Sequence, residues 1–338
     1  MKAYTLCAVD DLQCKDVEVP SYPSGWCLVK VYAAGICSSD IPRIFTKGTY
    51  HFPTIPGHEF AGRVEKVADK ENEHLIGRKV AVFPLIPCRK CEQCLKGHYE
   101  MCAHYDYIGS RRDGAFAEYV AVPVWNLIEL NENVSFEEAA MMEPLSVALH
   151  AMKQSGLHRG NTFAVVGTGM IAFAAAQWAG KMGASSVTIL GRSPEKRGIA
   201  EKLTGVEYKI ASECTDEFDV VLEAVGTPTA IEQSIQFTTA GGTLVLMGNP
   251  SSDIHLKQNV YWRILRKQLK VIGTWNSSYE YHQPCDWFEV KEALENNEIQ
   301  AKALISHRYA AEQLYDGLEL MRMHKEPFCK VMTIWQQD

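Results

Sequence analysis

The stretch Thr162-Phe163-Ala164-Val165-Val166-Gly167-Thr168-Gly169-Met170-Ile171-Ala172 decides the reading of this chain. An apolar run ends in a G-x-G-x-x-A turn and passes into an alanine-rich segment with helical spacing. In a strand–turn–helix unit the first glycine makes the tight turn. The second lets the backbone approach a pyrophosphate that rests on the helix N-terminus. Gly167, Thr168, Gly169, Met170 and Ile171 are therefore the first candidates for binding a dinucleotide. Outward from this turn, apolar strands alternate with helical patterns from residue 151 onward. Six strands are expected, at Thr162–Gly167, Ser186–Leu190, Glu207–Ile210, Asp219–Glu223, Thr243–Met247 and Lys270–Thr274. Right-handed βαβ units of this kind build a doubly wound parallel sheet. Ser193 before Pro194 and Thr227 before Pro228 carry the signature of helix starts. Val225 and Gly248 follow strand ends, where ligands of such sheets collect.

The second strand runs out in Leu190-Gly191-Arg192-Ser193. A chain that binds NAD usually places Asp or Glu here, to accept from the ribose 2'-hydroxyl. Its absence removes repulsion of a 2'-phosphate, and Arg192 and Ser193, with Lys196 or Arg197 nearby, can bind one. NADP(H) is the expected cofactor. NAD(H) is the alternative, with Arg192 then a solvated charge.

Upstream, from Met1 to His150, short alternating runs such as Trp26–Ala34 and Phe116–Val122 are separated by Pro and Gly turns, which is β-rich organisation. Downstream, Trp287–Asn296 and Ala311–Arg322 read as helices and Ile305–Ala310 and Lys330–Ile334 as strands, in a tail expected to return to the first domain. The expected domains are 1–150, 151–284 and the returning segment 285–338. At 338 residues, 46% apolar and 22% charged, the composition is that of a soluble enzyme with little disorder. The net charge of −7 argues against broad nucleic-acid binding. The N-terminus shows no signal-peptide pattern. The most apolar stretch, Phe163–Ala179, is interrupted by Gly167-Thr168-Gly169 and Gln177 and falls short of the roughly 20 clean residues of a membrane span. A cytoplasmic protein with no membrane partner is expected. No internal repeat of fixed period is visible.

Eleven cysteines in a reducing compartment point to metal or catalysis rather than disulfides. Four of them form Cys88-x2-Cys91-x2-Cys94-x7-Cys102 on a charged loop. Four thiolates suit a closed tetrahedral zinc that folds a lobe, spanning about residues 84–104, and leaves no position for substrate. The spacing departs from that of bacterial iron–sulfur runs, which end in a closer Cys-Pro pair. A second, dispersed set is Cys37 in Gly35-Ile36-Cys37-Ser38-Ser39-Asp40, His58 in Gly57-His58-Glu59 and Glu143 in Met142-Glu143-Pro144. Each alone is an ordinary packing residue. Together they are the ligand types of a catalytic zinc with an open fourth position. Glu59 is a neighbouring group or an exchanging ligand, and Asp40 can orient His58.

In this order, Cys37 with Ser39-Asp40, Gly57-His58-Glu59, the four-cysteine lobe, Glu143-Pro144 and Gly167-x-Gly169 resemble, over essentially the full length, the zinc-containing medium-chain dehydrogenases. Glu143, where alcohol dehydrogenases of that family often carry Cys, is similar to the polyol dehydrogenase branch. Pro42–Phe45 and Tyr107–Gly114 look most like members acting on galactitol 1-phosphate. The resemblance implies a GroES-like β-rich catalytic domain plus a Rossmann domain, thus an α/β fold. It also implies two zinc ions per chain: a catalytic one on Cys37, His58 and Glu143, and a structural one on Cys88, Cys91, Cys94 and Cys102. Ser39 then passes the alcohol proton on, His51 is a candidate later relay, and Lys330 lies near the cofactor phosphates. The implied reaction is hydride transfer between a nicotinamide and a secondary alcohol of a polyol phosphate. Arg43, Lys47, Arg111 and Arg112 are candidates for holding the phosphate. An unphosphorylated, sorbitol-like polyol or a general secondary alcohol is the runner-up. A homodimer or homotetramer is implied by resemblance. Gly191 departs from the acidic residue of NAD-binding members, and Ala172 from the third glycine.

Overall fold

The computed structural model describes residues 1–336, so the last two residues of the expected 285–338 segment lie outside the described residues. Two compact units emerge. One comprises Met1–Glu143, Ser278–Asn297 and the chain from Ile305; the other comprises Pro144–Ser277 and Glu298–Leu304.

In the first unit the eleven-residue strand Trp26–Ile36 is the backbone of the sheet. Its β-branched and small residues are largely buried, as a strand packed on both neighbours requires. It pairs antiparallel with Glu59–Val67, ending on Gly35 opposite Glu59. On its other side Lys330–Ile334 pairs antiparallel with it, Val331 opposite Ile36. The register therefore brings the start of Glu59–Val67, the end of Trp26–Ile36 and the start of Lys330–Ile334 to one end of the sheet. Val29, Val31, Phe60, Val64, Val80 and Val82 fill the core beneath.

The same unit buries a lysine. Lys79 donates from Nζ to the Val134 carbonyl (2.8 Å), lies 4.5 Å from the Phe136 ring centre and sits 3.4 Å from the Glu132 carboxylate. Arg63 grips that carboxylate with two nitrogens at 3.0 and 2.9 Å.

The second unit is a parallel sheet of β1 (Thr162–Val166), β2 (Ser186–Gly191), β3 (Val206–Ile210), β4 (Phe218–Glu223), β5 (Thr238–Leu246) and β6 (Lys270–Gly273). The spatial order is β3-β2-β1-β4-β5-β6, the doubly wound order with its switch point between β1 and β4. β1 is almost continuously buried, as a strand covered on both faces must be. β5 begins earlier than the sequence reading placed it: Thr238 already pairs with Phe218, and the register shifts before Thr243 meets Val220. The Gly241-Gly242 pair lies within the strand, between the Thr238 and Thr243 pairings where the register shifts.

Thr227 caps the helix Pro228–Phe237 by accepting from the Ala230 N–H. Ser193 makes no such bond; Pro194–Lys196 is a tight turn followed by the short helix Arg197–Ala200. The units divide at Glu143/Pro144, within the helix Met142–Gln154, where the sequence reading divides them after residue 150. Trp178 donates to the Leu145 carbonyl and so fastens this helix to the second unit. Tyr279 donates to the Trp125 and Leu127 carbonyls, which starts the return to the first unit before residue 285. Within the tail, Gln300 takes the Gln177 side chain as acceptor, holding 298–304 on the second unit. Among the described residues no helix is long and apolar enough to cross a membrane.

The Arg63 fork, with Lys79 beside it, holds the Glu132 carboxyl down at about 2 from its usual 4.5. A depressed carboxyl stabilises the fold above its unfolded value, and that contribution is lost as pH falls through the folded one. Glu132→Gln is therefore expected to lower the urea midpoint at neutral pH. Because the carboxylate is exposed, the cost is under about 1 kcal/mol. The gap from the parent should close between about pH 4.5 and pH 2 in melts across that range.

Candidate active site

At the shared end of the three strands, donor atoms of Cys37, His58 and Glu59 lie within 4.8 Å of one another. Around them the charges are paired. Asp40, fully buried, accepts from the Cys37 N–H at 3.0 Å and from Arg43 at 2.5 Å. Its other neighbour is His58, whose Nδ1 stands 3.6 Å from Oδ1 and is itself buried without a closer partner among the described residues. Burial works against charge on both groups. Their mutual attraction, with Arg43 on Asp40 and Cys37 on His58, nonetheless holds Asp40 below its usual value and His58 well above.

Glu59 forms a buried ion pair with Lys330, which also donates to the Ile36 carbonyl at 3.3 Å. Gly35 makes the room: a Cβ there would overlap Glu59 Oε2 and lie 3.3 Å from Lys330 Cδ. Glu143 accepts from the Tyr107 hydroxyl at 3.2 Å, and the Tyr107 ring stands edge-on to His58, centres 5.7 Å apart. Burial, with Glu59 nearby, lifts Glu143 to about 7 against the pull of His58 and Lys330.

A thiol, an imidazole and a carboxylate converging in a buried pocket fit zinc, and the Asp40–His58 contact is the kind that fixes a ligating imidazole. The structure brings Cys37 and His58 together as the sequence reading expects. The carboxylate whose oxygen converges with them is Glu59; Glu143 stands beside the cluster on Tyr107. Lys330, expected near the cofactor phosphates, has its ammonium buried against Glu59. Tyr107 was not singled out by the sequence reading as a site residue, and nothing in a lone Tyr after Asp106 signals its role.

Ser39 is exposed and donates to Cys37 Sγ at 3.3 Å. His51 has both ring nitrogens on backbone carbonyls, Nδ1 3.1 Å from Pro53 and Nε2 3.0 Å from Arg111, which ties it to the loop. Of the basic candidates, Arg43 is paired with Asp40, and Arg112 with Asp106 under the Trp26 ring. Arg111 lies between the Tyr50 and Tyr105 rings, 4.3 Å from each centre. Lys47 is exposed at the end of the turn Arg43–Lys47.

The four-cysteine loop closes on itself. Cys88 and Cys94 sulfurs are 3.9 Å apart, as are those of Cys91 and Cys102, and all four lie within 4.8 Å of one another. A tetrahedron of Zn–S bonds of about 2.3 Å has edges of about 3.8 Å. The Cys94 and Ala103 N–H groups lower the Cys91 thiol to about 6, whereas burial pushes Cys94 up to about 12. The donor set and spacing fit a structural zinc.

In the second unit, Gly167 turns at φ +125° and Gly169 opens the helix Met170–Lys181. A Cβ on Gly169 would meet nothing within 4 Å, so the protein's own packing does not require glycine there. Beyond β2, Arg192 and Arg197 are exposed and Ser193 half-buried, and Lys196 donates to the Thr168 carbonyl at 3.1 Å. Val225 and Gly248 are drawn together by the buried Glu223. One of its carboxylate oxygens accepts from Val225 and Gly226 N–H at 2.8 Å, and its carbonyl accepts from Gly248 N–H at 3.1 Å.

Comparison with known proteins agrees with both units. Residues 23–132 match the family model "Alcohol dehydrogenase GroES-like domain" and residues 167–292 match "Zinc-binding dehydrogenase". The chain is 35% identical to galactitol 1-phosphate 5-dehydrogenase of Escherichia coli (strain K12) over 84% of this chain and 85% of that one. The crystal structure of galactitol-1-phosphate dehydrogenase from Escherichia coli superposes with a TM-score of 0.91 at 31% identity, covering 99% of this chain and 100% of that chain. A Sinorhizobium meliloti 1021 protein, described as a zinc-binding dehydrogenase and bound to NADP, gives a TM-score of 0.89 at 27% identity over 99% of each.

Cys91→Ser removes one of four converging sulfurs. It is expected to lose about one equivalent of bound zinc relative to the parent by elemental analysis and to lower the melting temperature, since a structural site contributes folding energy directly. Unchanged zinc content would show that the lobe holds none.

Proposed function

The chain belongs to the zinc-containing alcohol dehydrogenase family and is an oxidoreductase, and on that premise we propose that it oxidises a secondary alcohol of a polyol phosphate related to galactitol 1-phosphate, using NADP(H) in preference to NAD(H). In that reaction the carbinol carbon gives a hydride to NADP⁺ and its hydroxyl gives a proton, leaving a ketose phosphate, NADPH and H⁺. The observation that carries this reading is the convergence of half-buried Cys37 with buried His58 and Glu59, with Glu143 beside them.

Cys37 and His58, with Glu59 or Glu143 as carboxylate, hold the catalytic zinc, and Cys88, Cys91, Cys94 and Cys102 hold a second one. Zinc in the first position supplies Lewis acidity toward the alcohol. Asp40 keeps the His58 ring in place, and Lys330 fixes the Glu59 carboxylate beside Cys37 and His58. The exposed Ser39 hydroxyl takes the departing proton and hands it to solvent. Gly167 to Ile171 receive the pyrophosphate. Arg192, Ser193 and Arg197 receive the 2'-phosphate, which the gap at Gly191 and the NADP bound to the Sinorhizobium relative support.

The substrate class is supported by the two Escherichia coli relatives named for galactitol 1-phosphate, with Arg43 and Lys47 as the basic groups on the segment after Asp40. A second reading, an unphosphorylated polyol, is favoured by the internal pairing of Arg43 with Asp40 and of Arg112 with Asp106. The protein works in the cytoplasm as a homodimer or homotetramer, on a small molecule and without nucleic acid or membrane. This is supported by its acidic charge, by cysteines that are all free among the described residues, and by an exposed edge strand β6.

Initial rates on polyols, ketoses and their phosphates, each with both nicotinamides, test this. The phosphorylated substrates with NADP(H) should give the highest kcat/KM. Arg43→Ala should raise their KM about tenfold, as expected for a lost charged contact. A panel led by free polyols, indifferent to that substitution, would establish the second reading instead. Glu143→Ala should abolish turnover while NADPH binding stays measurable.

A further inference from the structure

The place where an NAD-selecting carboxylate would stand is filled from within the protein. β2 and β3 pair in parallel with Ile189 opposite Tyr208 and Gly191 opposite Ile210. From β3 the Tyr208 side chain reaches back across Gly191, and its hydroxyl donates to the Ser193 carbonyl at 2.5 Å. The Arg197 guanidinium lies 5.8 Å from the ring centre. A Cβ built on Gly191 would overlap both the hydroxyl oxygen and Cζ of Tyr208, and would lie 3.0 Å from Thr168 Cγ2. The overlap is with the rigid end of a ring whose hydroxyl is already committed, so it is not relieved by a small rotation. Thr168 on the opposite side is held in turn, its carbonyl accepting from Lys196. Position 191 is thus closed to every side chain while Tyr208 keeps this pose.

We propose that Tyr208 is a specificity-determining residue: its phenol bars a carboxylate from position 191 and, through the Ser193 carbonyl, fixes the turn that carries Arg192 and Ser193 as an edge for the 2'-phosphate of NADP(H). This deepens the cofactor preference proposed above and rests on it. Gly191 is then the partner that Tyr208 requires, and a change of cofactor needs both positions to move.

Two measurements separate the parts. Thermal melts of the nucleotide-free full chain as parent, Gly191→Ala, Tyr208→Ala and the double variant test the steric claim alone. Gly191→Ala should lower the melting temperature by about 5 °C beside Tyr208, as overpacking does, and by much less in the Tyr208→Ala background. Additive shifts would overturn it. Fluorescence titrations with NADPH and NADH then test selectivity. Gly191→Asp alone should weaken both nucleotides about tenfold or more, and Gly191→Asp/Tyr208→Ala should bind NADH at least about tenfold more tightly than Gly191→Asp does, the size of one good charged hydrogen bond. Equal NADH affinity in those two variants would remove Tyr208 from the selection. A parent that binds NADH more tightly than NADPH would defeat the cofactor preference itself, and with it the 2'-phosphate role of the turn, while the melts would still decide whether Tyr208 closes position 191.

Discussion

Charge buried in a protein persists only where opposite charge is beside it, and the Lys330–Glu59 pair is where this structure meets that requirement. Both side chains are almost completely enclosed, where an unpaired ion would cost several kcal/mol. The pair is possible because antiparallel pairing sets Gly35 against Glu59 and Val331 against Ile36, with glycine leaving space for a carboxylate. Around it, Asp40 answers His58 and Arg43. The acidic side of the cluster, with Cys37, Glu59 and Glu143 together, calls for a further cation. Burial, with Glu59 adding to it, raises Glu143 to about 7 against the pull of His58 and Lys330.

What was legible in the sequence was what is local. Four cysteines on one loop, and a glycine turn between a strand and a helix, carry their chemistry in their own spacing. The inner strands β1, β2 and β4 of the parallel sheet are readable because buried parallel strands are nearly uniformly apolar. Cys37 and His58 were legible as a pair through the glycine-flanked segments they sit in, although their meeting depends on strand pairing.

The rest was decided by partners distant in the chain. Lys330 reads as a strand-leading lysine, and only the pairing of its strand with Trp26–Ile36 gives it to Glu59. Arg43 and Arg112 read as candidates for holding a phosphate or as ordinary salt-bridge partners, and their pairing with Asp40 and Asp106 is a matter of loop geometry. The missing carboxylate at Gly191 was visible, whereas the tyrosine that makes it missing comes from the neighbouring strand and required the β2–β3 register. Glu223, which gathers the turns after β4 and β5, looks like any acid at the end of an apolar run.

The two metal-binding sets also differ in how they are assembled. The cysteine lobe needs only one loop to close, and so it can order around an ion with little help. The Cys37–His58–Glu59 set exists only once Trp26–Ile36 has paired with Glu59–Val67.

The short passage 298–304 has a bearing on how such a molecule can be taken apart. The chain leaves the first unit after Glu143, re-enters it at Ser278, visits the second again for Glu298–Leu304 and returns at Ile305. Neither unit is therefore a single uninterrupted piece of polypeptide. A gene fragment ending at residue 277 lacks Gln300 and its bond to Gln177, and one ending at residue 143 lacks the strand that brings Lys330. Recombining halves between relatives of this architecture consequently requires the junctions to be moved as a set, with the carboxyl-terminal segment divided between both donors.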